Sequence, residues 1–526
     1  MSYSVGLNAT VATQSRLRTG THRCSLSGMC VTCLDGCAGL CEIGRSAVRG
    51  KEMLYPQPFG QTTSAAQKEY PVDYSHLTIL GTAVGAYGID PDPDKAIFPV
   101  VDISTAVGAG GDIKLRLPIV VAAMGSTNVA ANNWEHLAAG AAISGVGIVV
   151  GENVCAMDPA AEIKNGRIVR SPAMEKRVRS YQEWQRGPGF IAVQANVEDT
   201  RLGVQEYCIE KLGVEAVEIK WGQGAKDIGG EVKLDSLERA LQLKSRSYIV
   251  LPDPEDPVVQ EAFRAGVFRE FERHSRIGMV EYESFMQRVE ELRRAGAKYV
   301  FLKTGAYRPA DLARAVKFAS DARLDLLTVD GAGGGTGMSP WRMMNEWGVP
   351  TLHLQGLLTR YLDRLAAKGA YVPPVAMAGG FSLEDHLFKV LAIGAPFTRA
   401  VGMARAPLAA AMVGKTVGRS ILEGKVLPEY QKYGDRLEQV FIAATELKNL
   451  LGEDFKRLPV GAIGVYTYFE RLAQGLRQLL CGARKFSLQY LTRDDVAALT
   501  PEAAAITGIR FVMDMDAEEV DRILGC

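Results

Sequence analysis

Five of the nine cysteines in this 526-residue chain lie close together near its start. They are Cys24, Cys30, Cys33, Cys37 and Cys41, and the last four are separated by two, three and three residues. Thiolates at such short spacings can converge on one metal, and the segment has the glycines and the irregular hydrophobicity of a loop. The pattern favours one iron–sulfur cluster of the 4Fe-4S type, because two clusters would need eight cysteines. The alternatives are a structural zinc site, with His22 beside Cys24, or cysteines without a metal.

The overall composition excludes several classes of partner. Lys plus Arg and Asp plus Glu balance at 60 each, so no net charge would recruit nucleic acid or an anionic membrane. No apolar run approaches the roughly 20 residues of a membrane helix, and the first 20 residues lack the apolar core of a secretory signal. The other four cysteines are scattered, which is typical of a reducing compartment. We therefore expect a cytoplasmic protein that binds neither nucleic acid nor membrane.

The elements that must position any chemistry begin near residue 118, where short apolar runs start to alternate with amphipathic stretches. This alternation predicts parallel β/α units. Strands are predicted over 119–124, 147–152, 190–195, 216–220, 299–303, 326–330, 374–378 and 397–402. Eight strands indicate an α/β fold, the closed (β/α)8 (TIM) barrel. A ninth apolar run, 247–251, is interpreted as an excursion from the barrel.

The chain is accordingly divided into three parts. Residues 1–75 form the Cys-rich iron–sulfur segment, 76–420 the barrel, and 421–526 a helical C-terminal extension without clear strands. His274 and His386 lie in charged, helix-like contexts and are expected at the surface.

Polar residues and glycines follow the predicted strands, at the end of a barrel where reactive groups gather. Gly379-Gly380 and Gly402-Met403-Ala404-Arg405 follow the last two strands, where barrels commonly bind phosphate. Bare amides at the helix start after Gly380, with Arg405 as a cation, resemble a cradle for the phosphate of FMN. Two ordinary strand-to-helix turns are the alternative.

Two lysines and a glycine-rich run complete the candidate site. Lys220 and Lys303 each end a buried strand, where an anion such as reduced flavin or a dicarboxylate would compensate the charge. Alternatively, each lysine pairs with a carboxylate such as Glu152 or Asp330. Residues 331–340 are glycine-rich, which favours close approach of the backbone to a ligand, although a flexible lid has the same composition.

A Rossmann domain is not expected, because the one approximate dinucleotide motif, at 187–192, precedes a strand instead of following one. Electrons would then enter through the cysteine cluster.

Several motifs occur in order along the predicted barrel. They are Ala123-Met124-Gly125-Ser126, Gly151-Glu152, Glu218-Ile219-Lys220, Gln223-Gly224-Ala225-Lys226, Lys303, Gly334-Gly335-Thr336-Gly337-Met338-Ser339-Pro340 and Gly379-Gly380. On these residues, 118 to 420 resemble the FMN-binding domain of glutamate synthase and its stand-alone relatives. The resemblance implies an iron–sulfur flavoprotein that passes electrons from a cluster to FMN, and hydride to an imine such as 2-iminoglutarate. The reaction would form glutamate from 2-oxoglutarate and ammonia, a step of amino-acid biosynthesis.

The resemblance also implies the site residues and the partners. The implied catalytic residues are Glu152, Lys303, Gln223 and Lys226, of which Glu152 handles the proton and the others hold carboxylates. The expected FMN-binding residues are Met124, Gly125, Ser126, Gln194, Lys220, Lys303, Asp330, Gly331, Gly334, Gly335, Gly379, Gly380, Gly402, Met403 and Arg405. The expected electron donor is a ferredoxin or a separate reductase subunit.

The sequence departs from the family pattern in four respects. The cysteines precede the barrel instead of following it; Gly331-Ala332-Gly333 stands where the family has Gly-His-Asp; and the loop after Lys226 lacks the family's glutamate. No glutaminase segment fits before the barrel, so ammonia is expected free or from a separate subunit. Two further functions stay open: an FMN and iron–sulfur oxidoreductase for another amine or small metabolite, and a non-redox barrel with structural zinc.

Overall fold

A computed structural model describes residues 36, 37, 39, 42–50, 70–222, 231–333 and 347–525. Several residues predicted to bind a metal, cofactor or substrate lie outside this part of the chain. They are Cys24, Cys30, Cys33, Cys41, Gln223, Lys226, Gly334 and Gly335.

The strands of the described residues are numbered in chain order. They are β1 (Leu77–Ile79), β2 (Thr105–Val107), β3 (Ile113–Leu115), β4 (Ile119–Met124), β5 (Gly147–Val150), β6 (Glu162–Lys164), β7 (Arg167–Arg170), β8 (Ile191–Ala195), β9 (Ala216–Lys220), β10 (Glu231–Leu234), β11 (Ile249–Leu251), β12 (Phe271–His274), β13 (Tyr299–Thr304), β14 (Leu326–Asp330), β15 (Val375–Ala378), β16 (Thr398–Met403) and β17 (Val496–Ala498).

Eight of these strands close into a parallel barrel. Its order is β4-β5-β8-β9-β13-β14-β15-β16, and β16 pairs with β4 to complete the ring. All eight predicted strands are confirmed, with bounds that differ by two residues or fewer. Each reads as a nearly continuous apolar run because it is covered on both faces. At the amino-terminal end of the strands, Val107, Ile113 and Leu115 of the β2–β3 hairpin are buried in the same cluster as the barrel interior.

The α-helices of the described residues are α1 (Glu42–Arg49), α2 (Asn128–Ile143), α3 (Val154–Met157), α4 (Pro172–Gln182), α5 (Val197–Leu202), α6 (Val204–Leu212), α7 (Leu237–Ser245), α8 (Pro257–Arg264), α9 (Tyr282–Arg294), α10 (Pro309–Asp321), α11 (Thr351–Ala367), α12 (Glu384–Ile393), α13 (Arg405–Leu422), α14 (Leu437–Val440), α15 (Ala444–Leu451), α16 (Gly461–Gly482), α17 (Pro501–Thr507) and α18 (Ala517–Leu524). Among the described residues, no helix has both the length and the apolar content that a membrane crossing requires.

Both ends of the chain contribute to one helical layer outside the barrel. Helix α16 packs against α2, α12 and α13, and α1 from the N-terminal part packs against α13 and α16. Glycines let α13 and α16 approach closely, since a Cβ on Gly464 would lie 2.8 Å from the Cα of Gly414. The layer covers α13, which begins directly after the last barrel strand.

The run 247–251 lies outside the barrel, as predicted. It contains β11, the edge of an antiparallel sheet with the order β10-β12-β11. The C-terminal part is mostly helical but also contains β17, which pairs with β1. A three-residue strand such as β17 is too short to produce a recognisable pattern in the sequence.

Candidate active site

Charged and polar side chains from adjacent strands meet at the carboxyl end of the barrel. Glu218 and Lys220, two residues apart, share one face of β9, and register brings Lys303 of β13 opposite Lys220. Gln194 of β8 lies opposite Glu218, and Thr328 of β14 lies opposite Lys303. The closed ring therefore collects residues that are more than 130 positions apart in the sequence.

Both lysines are paired with carboxylates. Lys220 Nζ lies 2.6 Å from Glu152 Oε1, and Lys303 Nζ lies 3.2 Å from Asp330 Oδ2. The second interpretation of these lysines, pairing with Glu152 and Asp330, thus agrees with the structure. Burial acts to lower the pKa of Lys303, but the negative charges of Asp330 and Glu218 outweigh it and raise that pKa.

The ion pair with Lys220 decides the protonation state of Glu152. Burial alone would raise the pKa of Glu152, but the charge and the hydrogen bond of Lys220 prevail and lower it to about 2. Glu152 is therefore ionised at neutral pH. In this form Glu152 can accept a proton but has none to donate, and its expected part in handling the proton stays a prediction.

Glu218 lies at the centre of the site and was not among the predicted site residues. Its side chain is buried; Oε1 accepts a hydrogen bond from Gln194 Nε2 at 2.6 Å and Oε2 accepts one from Thr328 Oγ1 at 3.3 Å. Burial raises the pKa of Glu218, although Lys303 acts against it. The signal in the sequence is an acidic residue inside an otherwise buried strand, two positions before a lysine.

Gln194 Oε1, a buried oxygen atom of the site, has no hydrogen-bond partner among the described residues. Because an unpaired buried polar atom costs about 1–3 kcal/mol, such atoms indicate a ligand or bound water.

The loops after β14 and β15 lie against each other. A Cβ on Gly331 would lie 2.5 Å from Thr351 Cα, and a Cβ on Gly379 would lie 2.5 Å from Thr351 Oγ1. That hydroxyl donates to the carbonyl oxygens of Gly379 at 2.8 Å and of Ala332 at 3.0 Å. Gly379 and Gly380 also have φ values of 131° and 112°, which favour glycine. Both loops therefore depend on their glycines for shape.

The helix start after Gly380 differs from the expectation. His386 Nδ1 accepts hydrogen bonds from the amides of Ser382 at 2.9 Å and Leu383 at 3.2 Å. These two amides are capped and do not face an anion, which corrects the prediction of bare amides there. His386 is also fully buried in this role, so its expected surface position is wrong.

The end of β16 is also closely packed. A Cβ on Gly402 would lie 2.7 Å from the Cβ of Ala378, and Met403 is buried. Arg405 is the first residue of α13. Gly402 and Met403 thus end β16 beside the end of β15, and Arg405 begins the helix that follows.

The loops after β4 and β5 are also in contact. A Cβ on Gly125 would lie 2.4 Å from the carbonyl oxygen of Glu152, and the amide of Gly151 donates to Met124 O at 2.9 Å. Ser126 lies half-buried in the same loop. The predicted residues 124–126 are therefore neighbours of Glu152.

The turn that carries Glu152 is held from outside the barrel. Asn153 is left-handed, with φ of 65°, and its amide donates to Asp199 Oδ2 at 2.8 Å. Its side-chain Oδ1 accepts from the hydroxyl of Tyr248 at 2.9 Å, which ties the turn to the β10–β12 sheet. Burial raises the pKa of Asp199 to about 7. Asp199 and Tyr248 gave no signal in the sequence, because their partner lies 46 or more residues away.

The described part of the Cys-rich segment is attached to α13. Cys37 is buried, and its amide donates to Thr416 Oγ1 at 2.9 Å. Arg471, which is fully buried, donates to Ser46 Oγ at 2.7 Å and lies 3.4 Å from Glu384 Oε1 at the start of α12. Within the described ranges, no group of three or more His, Cys, Asp or Glu residues could hold a metal ion. The other four predicted cluster ligands lie outside those ranges.

Residues 273–415 match the model of the conserved region in glutamate synthase. The match covers about a quarter of the chain, from β12 to within α13. It includes Lys303, Asp330, Gly379 and Gly402, but not Glu152, Gln194 or Lys220. No curated protein sequence matches the chain.

Several solved structures are similar to the chain at low identity. A double mutant of flavocytochrome b2 with pyruvate bound is 14% identical with a TM-score of 0.46, over 86% of this chain and 82% of that one. The flavin-binding domain of baker's yeast flavocytochrome b2 is 14% identical with a TM-score of 0.45, over 81% and 77%. A soluble mutant of (S)-mandelate dehydrogenase from Pseudomonas putida is 14% identical with a TM-score of 0.44, over 81% and 88%. The closed barrel rests on its own strand order, not on these distant similarities.

Proposed function

We propose that this protein is an FMN-dependent oxidoreductase of the glutamate synthase type. One observation carries the proposal: at the carboxyl end of the barrel, Gln194 Oε1 is buried without a hydrogen-bond partner among the described residues, and the buried Lys303–Asp330 pair lies at the same end. The isoalloxazine ring of FMN fits this combination, because its N–H can donate to Gln194 Oε1 and its electron-rich edge can face Lys303. The glutamate synthase match over 273–415 supports the same cofactor.

The residues present fit FMN at both of its ends. Gln194 and Lys303 would hold the ring, with Met124, Gly125, Ser126, Lys220 and Asp330 around it. Gly331, Gly334, Gly335, Gly379, Gly380, Gly402, Met403 and Arg405 would surround the ribityl phosphate, for which Arg405 supplies the cation. When bound, FMN supplies the exchange between single electrons and a hydride pair.

The chain's own residues would bind and orient a carboxylate substrate. Lys220 is held by Glu152 at 2.6 Å, so an incoming carboxylate competes with Glu152 for the same ammonium group. Gln223 and Lys226, in the loop that follows, are proposed as further carboxylate contacts. Glu152 would hold Lys220, and we keep it as the proposed residue for handling the proton.

The electrons would come from an iron–sulfur cluster held by four of the five N-terminal cysteines. Support comes from the attachment of Cys37 to α13, the helix that begins at Arg405. We propose a ferredoxin or a separate reductase subunit as the donor, in the cytoplasm, with ammonia free or from another subunit.

The favoured reaction is reduction of 2-iminoglutarate to glutamate. A different amine or small metabolite is the second candidate. It is favoured by Gly331 and Ala332, which bring no polar side chain to the loop after β14.

The test is anaerobic turnover of the flavin-loaded protein with 2-oxoglutarate, ammonia and reduced ferredoxin. Formation of glutamate supports the favoured reaction, and omission of ammonia is the control. No glutamate from fully loaded protein would reject it in favour of the second candidate, for which reoxidation of the reduced flavin is screened against other imines.

A further inference from the structure

Glu218 differs from the other two carboxyl groups of the site in its charge environment. Glu152 is paired with Lys220, and Asp330 is paired with Lys303. Glu218 has no lysine or arginine within ion-pair distance among the described residues, and only 1% of it is exposed. A buried acid without its own ion pair lowers stability, so a compensating role is expected of it.

The contacts of Glu218 show what that role can be. Its Oε1 accepts from Gln194 Nε2 at 2.6 Å, while Oε2 accepts from Thr328 at 3.3 Å. The side-chain amide carries its donor nitrogen and its acceptor oxygen on the same carbon. A hydrogen bond that fixes the direction of Nε2 therefore also fixes the direction of Oε1. A carboxylate only accepts hydrogen bonds, and it therefore selects this one orientation of the Gln194 amide.

The selected orientation leaves an acceptor for a ligand. Gln194 Oε1 is buried and has no hydrogen-bond partner among the described residues. Were the amide turned around, Nε2 would occupy that position and would repel an N–H donor. Gln194 can therefore recognise a ligand N–H only while its amide nitrogen is held elsewhere.

We propose that Glu218 is a positioning residue that orients the Gln194 amide, so that Oε1 accepts a hydrogen bond from an N–H of the bound ligand. The identity of that ligand rests on the proposed function. If the ligand is FMN, its oxidised isoalloxazine ring has a single N–H, at N3. Gln194 Oε1 would therefore bind the N3 edge of the ring.

The first experiment needs no flavin. Unfolding of the apoprotein by urea is measured for wild type, Glu218→Leu, Gln194→Leu and the double variant. A direct Gln194–Glu218 hydrogen bond predicts coupling of about tenfold in the unfolding equilibrium constant. Additive effects of the two substitutions would overturn the positioning role, whatever the protein binds.

The second experiment uses the ligand. FMN and N3-methyl-FMN are titrated against the apoproteins by quenching of flavin fluorescence. Wild type is expected to bind the methylated flavin about tenfold more weakly, because the hydrogen bond is lost and Oε1 stays unpaired. Gln194→Leu measures the part of this difference that is steric.

The ratio of the Kd values for N3-methyl-FMN and FMN should be as small for Glu218→Leu as for Gln194→Leu. The matched control, Thr328→Val, removes the other partner of Glu218 and should discriminate like wild type. Folded Glu218→Leu protein that keeps the full wild-type discrimination would overturn the proposal. Coupling in urea without any FMN binding would instead reject the proposed function and leave the orientation of Gln194 supported.

Discussion

The stabilities contributed by the two glutamates of the site, the buried Glu218 and the partly exposed Glu152, depend on pH in opposite ways. Burial raises the pKa of Glu218, whereas Lys220 lowers the pKa of Glu152 to about 2. In the unfolded chain both glutamates titrate near the ordinary value of about 4.3. The same residue type in the same site therefore stabilises the fold in different pH windows.

We expect Glu152→Gln to destabilise the protein at pH 7, because the stabilisation from a lowered pKa is fully present above about pH 4.3. The loss is on the order of 2 kcal/mol, and it should shrink as the pH falls toward 2. Urea unfolding at several pH values measures it. A loss that stays constant down to pH 3 would contradict the ion pair with Lys220.

Glu218→Gln is the counterpart, with the opposite sign. A raised pKa contributes stability below about pH 4.3 that is lost as the pH rises, so wild type becomes progressively less stable than the variant. The Tm difference between Glu218→Gln and wild type should grow as the pH is raised from 4 and become constant above the folded-state pKa of Glu218. A Tm difference that stays constant or falls as the pH is raised from 4 would show that ionisation of Glu218 costs no folding free energy.

At the scale of single residues, the sequence identifies candidates but not their partners. Lys220 and Lys303 stand out because each ends an apolar run. Whether each contacts a carboxylate depends on the register of neighbouring strands, which brings together residues 68 positions apart for Lys220 and Glu152. Glu218 lies in a motif of the family resemblance but was not predicted as a site residue, because its contacts with Gln194 and Thr328 also depend on strand register.

At the scale of elements, the glycine loops should tolerate little change. In Gly379→Ala, the new Cβ would lie 2.5 Å from Thr351 Oγ1 at a φ of 131°. We expect a loss of about 2 kcal/mol or more in the free energy of unfolding, together with weaker FMN binding. Gly213→Ala is the control, since its φ is 65° and nothing lies within 4 Å of the added Cβ. Equal effects of the two substitutions would contradict the close contact between the loops.

The sheet outside the barrel should stabilise the turn that carries Glu152. Tyr248→Phe removes the hydroxyl that donates to Asn153 at 2.9 Å, and about 1 kcal/mol should be lost in urea unfolding. Tyr282→Phe removes an exposed hydroxyl bonded to Asp321 at 3.2 Å, and its effect should be near zero. If Tyr248→Phe matches that control, the tie between sheet and turn is not energetically significant.

The elements themselves were largely predictable, and their ends less so. Buried parallel strands read as apolar runs, which explains the agreement over all eight barrel strands. The cap by His386 was missed, although it is local: the ring reaches back to the amides of Ser382 and Leu383. Histidine at the third position of a helix is a rarer cap than Glu or Gln, so the pattern did not indicate it.

At the scale of the molecule, the two ends of the chain meet on α13 and α16. The sequence separates the Cys-rich segment from the C-terminal extension by more than 300 residues, and no pattern indicates that they pack together. Arg471 nevertheless contacts both Ser46 and Glu384. The three-part division of the chain stays a prediction.

Attachment of the Cys-rich segment to α13 can be tested by proteolysis. Thr416→Val removes the acceptor for the Cys37 amide, so cleavage N-terminal to α1 should become several-fold faster. Ser420→Ala, on the same helix, removes only a local bond to Val417 O and should cleave like wild type. Unchanged cleavage of Thr416→Val would argue against this attachment.

The central claim is that one chain carries both a flavin and an iron–sulfur cluster. Anaerobic purification followed by FMN and iron determination tests it most directly. We predict about one FMN and about four irons per chain, with iron lost when Cys30 and Cys33 are replaced by serine and FMN retained. Colourless protein that takes up neither FMN nor iron on reconstitution, or that holds zinc instead, would contradict the account.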